Sequence, residues 1–596
     1  MACNMTPISV AISNWIAGGD GKVRGSDPGG LLGYADIVEM SMTLATAGRL
    51  GFYVDYSELA TTGKHTFYVC RTHGSTGAVS CGYSFGGDTN SGTSGTLNWA
   101  DGEMDIKTIT ATVSSKSAGD HRMWALLDTP TGGAALHHGV NTIAYGVIDD
   151  DTIATSNAIF IDADAGVDGT GTEGSPFNNW YSARDAVLSS TRYIYIKGMM
   201  IPDGTDAADM TVTVKNLEFT PEAFGGKTTE TERLVVRGWP GFTGGIDGGA
   251  QTDVTGFHAY ADTDSVDFIT LRKLSFTNLN HSVSAQSPVT TYGKCYALRL
   301  RGSSTNTTEQ WTTELITVNG IESGANAAIG VVFMEGSDGY DNGFKMWRWD
   351  IRNTQHTEKT ETLNVLEYYR MSGVSVQRCT CASDAGDIFE KEGQHRVDAI
   401  GFVARFNHFK TTRVRVASQS TYPVQSFHII QGNVFDSPSV VDYSMKPLWF
   451  QHTGTPSSRG KAAWIVGNVF VTHDLGVFAM IHYNSDAVEG SIVFNNIFSN
   501  IKRPMAFDDN GLLPVYADYD VFHRDIGEEQ FTVHGTEYGS VTDFNTGTTY
   551  EASSTQADPL LDADFSNGVG SSAIGSGVSG TDCGYQLIGN ELVGAA

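Results

Sequence analysis

Two stretches of the chain show different patterns of hydrophobic and polar positions. Between residues 51 and 151, apolar and polar residues alternate in short runs at regular spacing, such as GFYVDY, HTFYVCRT and NTIAYGVI. Alternation with a period of two indicates half-buried strands, and many short, evenly spaced strands are typical of an antiparallel sandwich. Residues 51–151 are therefore predicted to form a small β-sandwich, preceded by a Gly-rich N-terminal arm, residues 1–50.

The second stretch carries a repeat. Four segments end in an Asn that is followed two residues later by Phe, at Asn407, Asn433, Asn468 and Asn496, with spacings of 26, 35 and 28 residues. A repeat of this length with an apolar strand in each unit is typical of a solenoid of parallel coils. The Asn residues are expected to stack at equivalent turns and to satisfy backbone groups there.

A short helix is predicted ahead of the repeat, with Ser175 as its N-cap and Pro176 in its first turn. Trp180 and Ala183 fall on one face of this helix, as a helix that covers a core requires. The segment resembles the helix that closes the first coil of right-handed parallel β-helix proteins, and the phrases ADPL and SAIGSG are similar to their C-terminal ends. The resemblance implies an all-β fold, with a right-handed parallel β-helix over residues 158–596.

The segment GTLNWADGEMDIKTITATV and the closing DDD of the first stretch resemble the Calx-beta domain. That resemblance implies an immunoglobulin-like sandwich over residues 51–151. Some members bind Ca²⁺ through acidic residues at one end of the sandwich. The matching positions here are Glu58, Asp149, Asp150 and Asp151, and a plain acidic linker is the alternative.

Composition and charge narrow the function. The 596 residues include 38 Lys and Arg against 67 Asp and Glu, a net charge of −29, which opposes binding to nucleic acid. The seven cysteines lack zinc-ligand spacing. No run reaches the ~18 apolar residues of a membrane span. The N-terminus shows no recognisable signal peptide, and we expect a location outside the cell or on a virion surface.

An acidic phrase occurs twice, as SDGYDNGFK and SDAGDIFEK, with each member displaced by 46 residues. If the two phrases stack at equivalent turns, their carboxylates could bind Ca²⁺ or supply the acid and base of a glycosidase. A solvated, salt-bridged turn is the alternative. The residues concerned are Asp338, Asp341 and Lys345 in the first phrase, and Asp384, Asp387 and Lys391 in the second.

A second column follows when the coils are aligned on the Asn of the repeat. Lys391, Ser418, His452 and His482 lie 14 to 16 residues before successive Asn positions, so they are expected near one line. A lyase needs a base, a cation for the substrate carboxylate and an acid for the leaving oxygen. Lys391, Arg415 and His452 are candidates for these roles. Further candidates for substrate contact are Arg413, Tyr483, Trp449 and Lys345.

The segment DIFEKEGQHRVDAIGF resembles the coil of the chondroitinase B and alginate lyase group that carries a Glu and a Lys base, although the next coil reads VRVASQ where that group has an Arg-His pair. Taken together, the sequence predicts a protein that binds polysaccharide and cleaves it as a lyase or a glycoside hydrolase. The alternative is a non-catalytic viral tail spike or adhesin that binds surface glycan. If the protein is carried on a virion, we expect a homotrimer.

Overall fold

A computed structural model describes most of the chain. The described residues are 47–59, 63–87, 92–113, 121–137, 142–148, 152–202, 204–206, 214–249, 254–261, 264–281, 296–302, 306–323, 329–335, 341–356, 363–369, 371–383, 387–390, 399–400, 402–410, 413–418, 428–437, 448–452, 460–461, 463–472, 479–484, 488–489, 491–507, 514, 516–524, 530–548, 550–562, 565, 567, 570–574, 576 and 583–584.

The first domain is a sandwich of two sheets. Its core contains buried side chains from both sheets, among them Phe52, Phe67, Trp99 and Met123. One sheet has four strands, in the order Lys107–Val113, Gly63–Thr72, Arg49–Val54 and Ala135–Leu136. The other has five, in the order Tyr56–Leu59, Ile143–Ile148, His121–Asp128, Val79–Gly87 and Gly95–Trp99.

The second domain is a parallel β-helix, so the predicted all-β fold class is confirmed. Each coil contributes a strand to each of three ladders, and the first two ladders are joined into one 24-stranded sheet. The first ladder contains Ala158–Asp162, Tyr193–Met200, Leu234–Gly238, Ile269–Arg272, Trp311–Glu314, Asp341–Trp347, Met371–Gln377, Ala399–Ile400, Val403–Arg405, His428–Gln431, Ala463–Val466, Ile492–Phe494 and Tyr516–Asp518.

The second ladder contains Gly244–Asp247, Ser275–His281, Thr317–Ser323, Asp350–His356, Thr380–Ser383, His408–Lys410, Val434–Ser437, Val469–Thr472, Ile497–Ser499, Val521–His523 and Thr555–Gln556. The third ladder is a separate 13-stranded sheet of Gly204–Asp206, Val214–Phe219, Val254–Tyr260, Leu298–Arg301, Ile329–Glu335, Leu363–Tyr369, Asp387–Glu390, Arg413–Ser418, Leu448–His452, Ala479–Asn484, Arg503–Phe507, Phe531–Val533 and Thr536–Tyr538. Gly460–Lys461 and Val488–Glu489 form a separate two-stranded pair.

The predicted Asn ladder is present at the turn between the first and second ladders. In each of these coils a residue with positive φ precedes the Asn, for example Phe406 with φ of 58° before Asn407. The side-chain oxygen of Asn433 accepts from the backbone N–H of Asn407 at 3.1 Å, and its Nδ2 donates to the carbonyl of Ala404 at 3.0 Å. Because a buried backbone group needs a partner, the ladder satisfies the turns of adjacent coils.

Both ends of the coil stack are covered by a helix. Trp180 and Ala183 of the helix Trp180–Asp185 are buried in the core, as predicted, but the N-cap is Asn179 and not Ser175. The Asn179 side chain accepts from the N–H of Ser182 at 2.9 Å. The helix Val541–Thr548 covers the other end, where its Phe544 stacks on Phe531. The remaining described helices are Pro221–Phe224 and the 3₁₀ turn Glu230–Glu232.

The sandwich packs along the outer side of the first ladder. Arg405 of the β-helix donates to the carbonyls of Phe52 and Tyr53 of the sandwich, at 2.6 and 3.0 Å. Tyr56 of the sandwich packs against Trp347, with ring centroids 4.0 Å apart and ring planes tilted by 36°. These contacts are buried, so the two domains share an interface with fixed side-chain partners.

Candidate functional site

The two acidic phrases do not stack, so that prediction is wrong. Asp341 begins a strand of the first ladder, whereas Asp387 begins a strand of the third ladder. Asp341 pairs with Met371, so one coil here is 30 residues long, and a displacement of 46 residues carries the second phrase to another side of the β-helix. Asp338, Asp384 and Lys391 lie outside the described residues.

Lys345 lies beneath the sandwich and not in the open groove we expected. It is 3% exposed, and its Nζ donates to Asp55 Oδ2 and to the carbonyl of Ile143, each at 2.8 Å. Burial lowers the pKa of Lys345, and the charge of Asp55 opposes that shift. Its ammonium group is therefore committed to the contact between the two domains.

Of the four predicted calcium ligands, Glu58 lies in a described strand of the sandwich. Asp149, Asp150 and Asp151 lie outside the described residues. Glu58 is described by its backbone, which is in register with Val147. Within the described ranges, no group of three or more His, Cys, Asp or Glu side chains is arranged to hold a metal ion.

Ser418, His452 and His482, which were expected to form one column with Lys391, do not all share one strand register. Ser418 and His452 are register partners, but His482 pairs with Trp449. Arg413 pairs with Asp387, and Tyr483 pairs with Phe450, which is buried in the core. Counting residues back from the Asn therefore misplaces the second His.

Strand register instead assembles a row of chemically functional residues on the third ladder. Glu367 pairs with Glu390. Phe389 pairs with Val414, and these two residues directly precede Glu390 and Arg415 on adjacent strands. Arg415 then pairs with Trp449, and Trp449 with His482. We call these five positions the third-ladder row: Glu367, Glu390, Arg415, Trp449 and His482.

The rows on either side of the third-ladder row belong to the core. On one side Leu448, Ile481 and Met505 are in register and fully buried. On the other side Phe450 and Phe507 are also fully buried. Because successive positions of a strand alternate between the faces of a sheet, the third-ladder row occupies positions of the face opposite the core.

The same face is covered near the N-terminal end of the β-helix. Glu218, His258 and Arg299 continue the alternation on earlier strands, where Glu218 pairs with His258 and His258 with Arg299. His258 is 1% and Arg299 4% exposed. His258 Nδ1 lies 3.3 Å from the Nδ2 atom of Asn216. This end of the face is therefore closed to a long ligand.

The sequence did not identify Glu367 and Glu390 as a pair. Glu390 lies in the segment DIFEKEGQHRVDAIGF, where the resemblance implied a Glu beside a Lys base, and Glu367 lies in the separate strand Leu363–Tyr369. A usable signal was present, because an apolar residue directly precedes each member of the row. These residues are Leu366, Phe389, Val414, Leu448 and Ile481.

The row combines residue types that act on sugars. Strands in a sheet lie ~4.8 Å apart, and the register places Glu367 and Glu390 at paired positions of adjacent strands. Two carboxyl groups are the residue types that an acid and base pair requires. Arg415 supplies a cation and Trp449 an aromatic ring of the kind that packs against apolar sugar faces.

A second charged cluster lies in the domain interface. Glu314 is 1% exposed, pairs with Arg122 of the sandwich and accepts from Arg272 of the β-helix at 2.8 Å. Burial alone would raise the pKa of Glu314, but the two guanidinium groups hold it below its usual range. Tyr56 also donates to Glu314, at 2.7 Å. Because these charges are buried and paired across the interface, we assign them to holding the two domains together.

Among known proteins, the similarity found is to solved structures that match about a fifth of this chain. No protein-family model and no curated protein matches this chain. Among solved structures it is similar to the apo form of the Calx CBD1 domain, with 21% identity over 17% of this chain and 96% of that chain, at a TM-score of 0.16. It is also similar to the Calx CBD2 domain, with 18% identity over 18% of this chain and 88% of that chain, at a TM-score of 0.16.

A further match is CBD12 from CALX1.2, with 21% identity over 20% of this chain, at a TM-score of 0.16; the chain spans about half of that structure, 52% of its length. The corresponding CBD12 structure from CALX1.1 is that of a calcium binding domain.

Among the helices that the structure describes, none has the length and apolar character needed to cross a bilayer.

Proposed function

We propose that the protein binds an extended polysaccharide across the third ladder and cleaves it at Glu367 and Glu390. The observation that supports this most is the register of the row, which places two glutamates on adjacent strands beside Arg415, Trp449 and His482. The row crosses five strands, a distance of roughly 19 Å at ~4.8 Å per strand. That length suits several units of a polymer and exceeds what a monosaccharide needs.

The register of the two glutamates, at paired positions of adjacent strands, favours glycoside hydrolysis with retention of configuration. Retaining enzymes hold their carboxyl groups ~5 Å apart, close to the strand spacing, whereas inverting enzymes need ~6.5–9.5 Å to admit a water molecule. In this mechanism one glutamic acid protonates the leaving oxygen and the other carboxylate attacks the anomeric carbon. Water then releases the sugar, with the first residue acting as base.

We propose that Arg415 contacts the substrate. It follows the two glutamates in the third-ladder row, and a guanidinium group there would stabilise negative charge that develops during cleavage. The same cation could hold a uronate carboxylate, as a lyase also requires. Cleavage by a lyase mechanism, with Lys391 as the base, is therefore the second candidate, because Lys391 directly follows Glu390 in the chain.

The location, assembly and calcium binding of the protein are proposals from the sequence. We propose an extracellular or virion-borne protein, a homotrimer in the second case. Ca²⁺ would bind at the acidic end of the sandwich, through Glu58 and residues 149–151. The sequence motifs that resemble the Calx-beta domain support this proposal.

The proposal is tested by screening the full chain against neutral and acidic polysaccharides. New reducing ends report cleavage of either kind, and ultraviolet absorbance of unsaturated ends reports a lyase. Glu367→Gln and Glu390→Gln should each reduce cleavage about 10²–10⁴-fold, as expected for loss of an acid or base. Glu173→Gln is the matched control, because Glu173 is exposed and lies outside the third ladder.

Three outcomes would change the assignment. Cleavage that survives both glutamine variants would reject the row as the catalytic site. Unsaturated products that depend on Lys391 would establish a lyase. Glycan binding that Trp449→Ala removes, without cleavage of any substrate, would establish the non-catalytic spike or adhesin.

A further inference from the structure

A cavity of about 290 Å³ lies between the sandwich and the outer side of the first ladder, away from the third-ladder row. Its wall on the sandwich side includes Asp105 and Ile106, and Ile106 is 39% exposed, so the cavity opens to solvent there. Its aromatic lining comes from both domains: Tyr53, Phe406, Trp464 and Phe494. Ligand sites occur preferentially at domain interfaces and combine apolar walls with a few polar groups.

The polar groups of the cavity are held in defined orientations. The Oε1 atom of Gln431 accepts from Arg405 Nε at 3.2 Å, which fixes the amide and leaves its NH₂ group as the donor on this wall. Arg405 is itself buried and held by carbonyls of the sandwich. Asp105 contributes a carboxylate acceptor. The cavity therefore offers a donor and an acceptor among aromatic rings.

The described lining of the cavity offers no free charged donor to an anion. Arg71 is the cation of the lining, and each of its five N–H groups donates to a backbone carbonyl of the sandwich: Ala47, Thr76, Gly77, Ala100 and Glu103. It therefore has no donor left for a ligand. Asp105 adds a negative charge beside the opening, which offsets the positive charge of Arg71. A negatively charged sugar would gain no net attraction from these two residues and no charged hydrogen bond to replace its hydration.

We infer that this cavity binds a neutral sugar unit, as a site separate from the third-ladder row. A pyranose ring has an apolar face for the aromatic walls, and hydroxyl groups that can accept from Gln431 and donate to Asp105. The volume lies at the lower end of ligand pockets, ~300–1,000 Å³, so one or two rings are expected. The site would anchor a glycan on the first-ladder side, independently of cleavage on the third ladder.

The test is calorimetric titration of the full chain carrying Trp449→Ala, which removes the stacking residue of the third-ladder row. The probes are methyl hexosides and neutral disaccharides, compared with methyl uronosides and uronate disaccharides of the same size. We expect millimolar binding of a neutral probe and affinity for the matched uronate weaker by about tenfold or more. Asp105→Asn should narrow that difference.

A blocking variant assigns the binding to the cavity. Ile106→Trp should reduce the affinity for the neutral sugar by about tenfold or more, because the larger ring fills the opening. Leu126→Trp is the matched control, since Leu126 is also 39% exposed and does not line the cavity. Melting temperatures of both variants should stay within a few degrees of the parent, and loss of binding in the control as well would overturn the assignment.

Other results would overturn the inference directly. They are the absence of binding by every neutral probe, equal affinity in the Ile106→Trp variant, or tighter binding of the uronates. Failure of the proposed catalytic function would be seen separately, in unchanged cleavage by the Glu367→Gln and Glu390→Gln variants. The two proposals can therefore fail independently.

Discussion

The Asn ladder ends at Asp520, and the burial of this acid leads to a specific prediction about stability. Asp520 Oδ1 accepts from the backbone N–H and the Nδ2 of Asn496, at 2.6 and 3.1 Å. Asp520 is fully buried, and the carboxyl group of Glu551 is its neighbour. Burial raises the pKa of Asp520 to about 8, although the hydrogen bonds from Asn496 act in the opposite direction.

We predict that Asp520→Asn stabilises the protein at neutral pH. The ordinary pKa of an Asp is 3.8, so an Asp that keeps its proton at pH 7 lowers the free energy of unfolding. The cost is about 1.4 kcal/mol for each of the roughly three pH units between pH 3.8 and pH 7, or about 4 kcal/mol. An amide needs no added proton and retains an oxygen acceptor for Asn496. Its NH₂ can donate to the carbonyl of Val493, which is in register with the Ile465 carbonyl that Asn496 uses.

The pH dependence follows from the direction of the shift. The folded protein holds a proton that the unfolded chain releases near pH 4, so this contribution to stability is complete below that pH. It is lost as the pH rises toward about 8, the folded pKa of Asp520. Asp520→Asn should therefore gain about 2–4 kcal/mol at pH 7, with a smaller gain at pH 4.

The assay is thermal and urea unfolding of the parent and the variant at several pH values between 4 and 8, at fixed scan rate. Asp185→Asn is the control, because the Asp185 side chain is 69% exposed. Glu551→Gln should reduce the same pH dependence, since burial and the charge of Asp520 raise the pKa of Glu551 well above its usual range. Destabilisation by Asp520→Asn at pH 7, or an unchanged pH profile, would refute the reasoning.

Three further predictions concern stability. Asn433→Ala should cost about 2–4 kcal/mol, seen as a lower urea midpoint, because it leaves buried N–H and C=O groups of neighbouring coils without partners; a change within error would contradict the ladder's role. Glu314→Gln should cost about 3–5 kcal/mol and make the domain junction sensitive to limited proteolysis, because it leaves two buried guanidinium groups unbalanced. Asn179→Ala should lower stability by about 1 kcal/mol through loss of the N-cap, whereas Ser175→Ala should have little effect.

Local sequence patterns predicted the β-helix fold, but they did not predict which residues share a register row on the third ladder. The Asn repeat aligned the second ladder, because each Asn lies at a turn of fixed geometry, and Cys379 accordingly donates its N–H to Asn407 Oδ1 at 2.9 Å. The third ladder is separated from that turn by segments of variable length. Counting back from Asn468 and Asn496 therefore aligned His452 with His482, whereas the register pairs His482 with Trp449.

Contacts between the domains were also beyond local patterns. Lys345 is the last residue of the acidic phrase SDGYDNGFK and lies in a strand, a position that is typical of a groove residue. Its partner Asp55 is 290 residues away, on the sandwich. Nothing in the alternation of either domain indicates which side of the β-helix the sandwich covers, because that choice depends on the buried pairs formed across the interface.

The stereochemistry of cleavage tests the central claim most directly. Nuclear magnetic resonance of the first sugar released from a cleaved polysaccharide reports whether its anomeric configuration is retained. With Glu367 and Glu390 on adjacent strands, the account predicts retention by the parent protein and loss of activity in Glu390→Gln. Inversion of configuration, or an unsaturated product, would contradict it.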